Sequence, residues 1–146
     1  MHITRYTDYS LRVLIYLAAQ DGDRLSTIQE IADSYGISKN HLMKVVHQLN
    51  KKGYIETVRG KKGGMRLHRA QKDVNIGVLV RETEQDLSLV ECFSGNNTCR
   101  ITPVCGLRNI FDEALQAFLS VLDNYTLADV VQGKQESQLL RLLQIA

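Results

Sequence analysis

The 146-residue sequence contains no tryptophan, a single proline and only 6% aromatic residues. With so few obligatory helix breaks, the chain is expected to be rich in helix and poor in irregular loops. No apolar run approaches the roughly 18–20 residues that cross a bilayer. The opening Met1-His2-Ile3-Thr4-Arg5 lacks the apolar stretch of a secretory signal, so a cytoplasmic location without membrane partners is expected. Paired acids, a Ser/His/Asp order and a C-x-x-C motif are also missing, which speaks against an enzyme such as a thiol redox catalyst. Internal repeats and low-complexity tracts are absent. What is present is 44% hydrophobic, so a core can form, and the length suits one compact domain or a small domain plus a dimerisation element.

Charge is unevenly spread. The net charge is +2, yet residues 1–72 hold 13 of the 18 Lys and Arg but 6 of the 16 Asp and Glu. Between Gly36 and Lys72 ten basic residues face one acid, Glu56. Such a block is the electrostatic footprint of a surface that meets phosphates, although a plain solvated face has the same composition.

Helical periodicity predicts a first helix from about Thr4 to Gln20, ended by Asp21-Gly22-Asp23. Thr27 with Glu30 reads as a capping box for a short second helix that ends at Gly36. After the turn Gly36-Ile37-Ser38, Ser38 is expected to cap a third helix with Leu42, Val45, Val46 and Leu49 facing inward. Its other face carries Lys39, Asn40, His41, Lys44, His47, Gln48 and Lys51. Amides pair with adenine edges and lysines reach guanine or the backbone, so this face has the chemistry of a DNA-reading helix. Two alternating segments follow, Tyr54 to Val58 and Met65 to His68, joined by Arg59-Gly60-Lys61-Lys62-Gly63-Gly64. A helix-turn-helix followed at once by a basic hairpin describes a winged helix, with Arg59, Lys61 and Lys62 at the wing tip. The glycine-rich stretch has no Walker spacing and joins two strands, which excludes a nucleotide-binding loop.

Asp73 or Asn75 is expected to cap a helix from about Ile76 to Glu84, with a short extended piece from Leu87 to Val90 after it. A long helix from about Val104 to Leu122 bears Leu107, Ile110, Phe111, Ala114, Leu115, Phe118, Leu119 and Leu122. A stripe of that breadth exceeds what one domain covers and predicts a twofold dimer, which also suits two DNA half-sites. The fold class is therefore mainly α with a small β-hairpin wing. Its expected parts are a winged helix-turn-helix domain over 1–85, a cysteine-bearing loop over 86–105, and a dimerisation helix over 106–125. The helices of 126–146 are expected to pack at the periphery of the domain.

All three cysteines fall within fourteen residues, Cys92, Cys99 and Cys105. An odd number cannot close a disulfide framework. Zinc favours closer paired hooks and four protein ligands, whereas wide spacing on a loop suits an iron–sulfur cluster. A thiol redox switch, zinc and inert thiols are the alternatives. No histidine follows Cys105 within a turn, so a fourth donor has to be an oxygen ligand, a small molecule or a residue from elsewhere, such as the partner subunit.

Segments 7–17 (TDYSLRVLIYL), 31–49 (IADSYGISKNHLMKVVHQL), 58–67 (VRGKKGGMRL) and 123–129 (DNYTLAD), with the cysteine loop, carry a resemblance over nearly the whole chain. The sequence resembles the Rrf-type iron–sulfur regulators, in particular their nitric-oxide-sensitive branch. The cluster-assembly branch has a histidine near its three cysteines that this chain lacks. The resemblance implies a homodimeric repressor that binds an AT-rich inverted repeat of double-stranded DNA and releases it on reaction with nitric oxide. It further implies a cluster, [4Fe–4S] rather than [2Fe–2S], held by Cys92, Cys99 and Cys105 with Asp8 of the partner subunit. Arg12, one turn from Asp8, is implied as the coupling residue. The alternative keeps the fold and assigns it to the control of cluster assembly or a redox response.

Overall fold

A computed structural model describes residues 1–145 of the chain. Three helices come first, α1 (Arg5–Ala19), α2 (Ile28–Tyr35) and α3 (Lys39–Lys51). Thr4 and Thr27 start α1 and α2 with side chains that accept backbone N–H groups, and Thr27 with Glu30 completes a capping box. Gly36 ends α2 at φ 67°, a left-handed conformation that a Cβ disfavours. Ser38 occupies the N-cap of α3, but its hydroxyl makes no capping hydrogen bond, so only its position matches the expectation.

The wing is an antiparallel pair, β1 (Ile55–Val58) and β2 (Gly64–Leu67), in the register Ile55↔Leu67 to Val58↔Gly64. Ser26 exchanges backbone hydrogen bonds with Met65 at 2.9 and 2.8 Å, adding a one-residue bridge that ties the hairpin to the segment before α2. Sequence periodicity carries no sign of that bridge, because one residue has no period.

Helix α4 (Ile76–Thr83) is capped by Asn75, whose side chain accepts from Val78 N, and not by Asp73. Leu87 and Ser88 carry no regular structure and a bend follows at Leu89 and Val90, where the Val90 backbone is extended. Helix α5 (Gly106–Asp123) begins two residues later than expected, and α6 (Leu127–Val131) and α7 (Glu136–Leu142) follow.

The main core gathers Val13, Leu14 and Leu17 of α1, Ile31 of α2, Leu42, Val45 and Leu49 of α3, and Ile55 and Met65 of the wing. Leu127, Val131 and Leu143 belong to the same core. The expectation of peripheral C-terminal helices is thus corrected for α6, which packs against α1 with the Leu127 side chain fully buried, whereas α7 itself has no buried residue. Leu127→Ala should lower unfolding stability by about 2–4 kcal/mol, as for other buried leucines. A denaturant titration checks this, and a change under about 1 kcal/mol would return α6 to the periphery.

A second cluster joins Ile76 and Val80 of α4 to Leu119 of α5, with Leu87, Leu115, Phe118 and Leu122 around it. Arg81 pairs with Asp123, and the Asn75 side chain donates to Asp123 O at 2.8 Å, so the C-terminal half of α5 is fastened to the domain. In the N-terminal half Leu107 and Ile110 are 54% and 61% exposed. This apolar face is what the breadth of the stripe led us to expect.

Candidate DNA interface and cysteine loop

Helix α3 lies with Leu42, Val45, Val46 and Leu49 in the core. Its 3.6-residue period therefore turns Lys39, Asn40, His41, Lys44, His47 and Lys51 to solvent, together with Ser38 before it. Gln48 is half-buried beside them. At the wing tip Arg59, Lys61 and Lys62 are exposed. The turn requires glycine at 63, where a Cβ would stand 2.1 Å from the Val58 carbonyl oxygen. Among the described residues no ion pair engages Lys39, Lys44, Lys51, Arg59, Lys61 or Lys62. Glu56, the one acid in the basic block, is turned onto Arg66 and His68, and the Arg66 hydrogen bond is the main cause that holds its carboxyl below the usual range. The positive side chains are thus left free for an external anion.

On α1, Arg12 grips Asp8 with two hydrogen bonds, Nε to Oδ1 at 3.1 Å and NH2 to Oδ2 at 2.9 Å. Both side chains are more than a third exposed, so the pair adds about 0.5 kcal/mol or less to stability. The Arg12 guanidinium stands 5.4 Å from the Tyr9 ring and 5.9 Å from the Tyr35 ring. Tyr35, pushed up to about 12 by burial, donates to Arg12 O at 2.8 Å. Tyr9 in turn lies 6.2 Å from His41 of α3. A packed row therefore runs from Asp8 through Arg12 and Tyr9 to α3. Only the Asp8–Arg12 step was legible in the sequence, through its i, i+4 spacing.

The three thiols are free; Cys92 and Cys105 are half-buried and Cys99 is exposed. Cys92 sits in a short 3₁₀ turn, Glu91–Phe93, and Cys105 is the residue before α5. Every side-chain hydrogen bond of residues 86–105 stays within that span; Asn97 donates to Thr102 Oγ1 at 2.9 Å and Thr102 to Cys99 O at 2.8 Å, for example. Among the described residues no three His, Cys, Asp or Glu side chains converge closely enough to hold a metal ion. As a donor set, three free thiols on a loop bound mainly to itself fit an iron–sulfur cluster; as a conformation, this loop has to draw its thiols together to do so. Among the described residues no helix is long and apolar enough to cross a membrane.

Residues 3–133 match the model of the family described as Rrf2, iron-dependent transcriptional regulator. The chain is 54% identical over 146 residues to the HTH-type transcriptional regulator NsrR of Bacillus subtilis, covering 99% of each. It is 54% identical over 135 residues to the NsrR of Bacillus licheniformis, covering 92% of this chain and 94% of that one. Among solved structures, the oxidised form of CymR from Staphylococcus aureus superposes with a TM-score of 0.73 at 26% identity, over 91% of this chain and 98% of the other. A helix-turn-helix with a two-stranded wing, a match across most of its length and relatives at this identity lead to one conclusion: the chain belongs to the Rrf2 family of iron-dependent transcriptional regulators.

Proposed function

We propose that the chain is a homodimeric repressor that binds an AT-rich inverted repeat and releases it on exposure to nitric oxide. The observation that carries the DNA-binding part is the set of unpaired, exposed cations on α3 and the wing tip. Ser38, Lys39, Asn40, His41, Lys44, His47, Gln48 and Lys51 would meet the major groove. Arg59, Lys61 and Lys62 would grip the backbone or the flanking minor groove. Dimerisation is supported by the exposed apolar half of α5, which needs a partner surface of its own kind. The nitric-oxide part rests on the resemblance of the sequence to the nitric-oxide-sensitive branch of the Rrf-type regulators, and relatives at 54% identity are transcriptional regulators named NsrR.

Cys92, Cys99 and Cys105 would hold an iron–sulfur cluster, most simply [4Fe–4S], with Asp8 of the partner subunit as the oxygen donor, supplying an iron centre reactive toward nitric oxide. Asp8 is oriented by Arg12, and its exposure leaves it reachable from outside its own subunit. The contacts Arg12–Tyr9 and Tyr9–His41 join Asp8 to α3, so these residues would couple the state of Asp8 to the DNA-binding helix.

Iron, sulfide and zinc analysis of anaerobically purified protein, with optical spectra and operator titrations before and after nitric oxide, tests this reading. Matched iron and sulfide, bleaching by nitric oxide and a fall in operator affinity are expected. Zinc, or no metal with unchanged DNA binding, would overturn the sensing part. Asp8→Ala should keep the fold and bind DNA, yet show an altered cluster spectrum and a blunted response. A full response with an unchanged spectrum removes Asp8 from the donor set.

A further inference from the structure

The last turn of α4 is tied to two distant parts of the domain by three consecutive residues. Glu82 Oε2 accepts from the Tyr54 hydroxyl at 2.5 Å. Thr83 Oγ1 accepts from the Thr7 hydroxyl of α1 at 2.9 Å and donates to Leu79 O at 2.8 Å. Glu84 Oε1 accepts from both the backbone N and the hydroxyl of Thr4, at 2.7 and 3.1 Å. The chain then passes at Gln85 toward the cysteine loop.

Tyr54 stands where α3 ends and the wing begins, and the residue is 1% exposed. The Arg69 guanidinium, just beyond β2, lies 4.1 Å from that ring and donates to Lys52 O, at the C-terminus of α3, at 2.8 Å. The backbone of His68 also donates to Tyr54 O at 3.0 Å. One aromatic side chain thus joins the end of the reader helix, the outgoing strand of the wing and, through Glu82, the helix that leads to the cysteines. Burial, aided by Glu82, pushes the Tyr54 hydroxyl up to about 12, so it stays a donor.

Glu82 also lines an open groove with Lys44, His47 and Gln48. A carboxylate there repels the phosphates that its neighbours attract, and among the described residues Glu82 forms no salt bridge with the lysines of the groove, so no ion pair accounts for its place. The bond to Tyr54 does. We propose that Glu82 is a positioning residue for DNA recognition: by holding the Tyr54 hydroxyl, it fixes the angle at which the reader helix and the wing leave the body of the domain. The proposal rests on the DNA-binding reading above.

Three variants separate geometry from charge. Tyr54→Phe keeps the carboxylate and the ring but removes the donor. Glu82→Gln removes the charge but keeps an acceptor, and Glu82→Ala removes both. Affinities of the full-length protein for its operator and for a random duplex of equal length are measured, with thermal melts alongside. Tyr54→Phe and Glu82→Ala should each lower the operator-to-random ratio about tenfold, the scale of one intramolecular hydrogen bond, while Glu82→Gln, which keeps an acceptor, stays near wild type. If Glu82→Gln behaves like Glu82→Ala while Tyr54→Phe behaves like wild type, the role is electrostatic and the proposal is wrong. It is equally wrong if melting temperatures fall and the ratio holds, since a purely structural bond changes the folded fraction alone. A wild-type chain with no operator preference defeats the DNA-binding reading first, which is visible before any variant is made.

Discussion

Alanine in place of Cys92, Cys99 or Cys105 is expected to leave the chain folded but without iron, and to drop its operator affinity to the non-specific level, a loss of about 10³-fold or more. The fold should survive because none of the three side chains belongs to either apolar core. The loop's side-chain hydrogen bonds are its own, so a local change stays local. The loss of function should be large because the loop stands between the two ends of the molecule. On one side it joins the last turn of α4, which is bonded to Thr4, Thr7 and Tyr54. On the other it starts α5, in whose first half Leu107 and Ile110 are exposed. Gathering the thiols would order both roots together. Iron analysis, a circular dichroism melt and an anaerobic operator titration measure the three quantities. An iron-free variant that binds its operator like the wild type would show that the loop does not control DNA binding.

The second large effect concerns the cations. The triple substitution Lys44→Ala, Lys61→Ala, Lys62→Ala should weaken binding to every sequence and flatten its dependence on salt. If each lysine neutralises one phosphate, the slope of log affinity against log salt should become shallower by roughly 0.9 per contact, close to three for the set. The three side chains are exposed and outside every ion pair among the described residues, so stability should barely change. Asn40→Ala should behave differently. If the amide meets a base edge, its loss should relax preference at about one base pair, worth roughly 1–3 kcal/mol. Titrations at several salt concentrations against the operator and single-base variants distinguish the two. Equal losses on all duplexes for Asn40 and for the lysines would remove α3 as the reader.

How much of this was legible in the sequence follows from how far apart the interacting residues lie. The three N-terminal helices have apolar positions at 3.6-residue spacing, and the caps at Thr27 and Gly36 are encoded within four residues of the elements they bound. The wing announces itself by alternation and a glycine-rich turn, and the observed strands differ from the expected ones by one residue at their ends. The side chains that should touch DNA are visible because a helix face is a periodic pattern, and because charge accumulates in one block. The cysteines are visible by their number and crowding, though their conformation is not.

The misses share a cause. Thr4, Thr7, Glu82 and Glu84 are polar, and from composition alone they look like solvated surface. They are joined across 28 to 80 residues of chain, and nothing local marks a threonine or glutamate as a partner at such separation. Ser26 pairs with Met65 through backbone atoms that every residue has. Helix α6 is only five residues long, too short for a periodic stripe, yet Leu127 is fully buried because the groove beneath α1 has to be filled. By itself the sequence determined the helices, the wing, the free cations and the positions of the three thiols, since each depends on spacing along the chain. Tertiary structure alone decided which polar side chains would bond, that α6 would complete the core, and that the last turn of α4 would join reader, wing and first helix. Those outcomes depend on burial, which removes water as a competing partner only after distant segments have met.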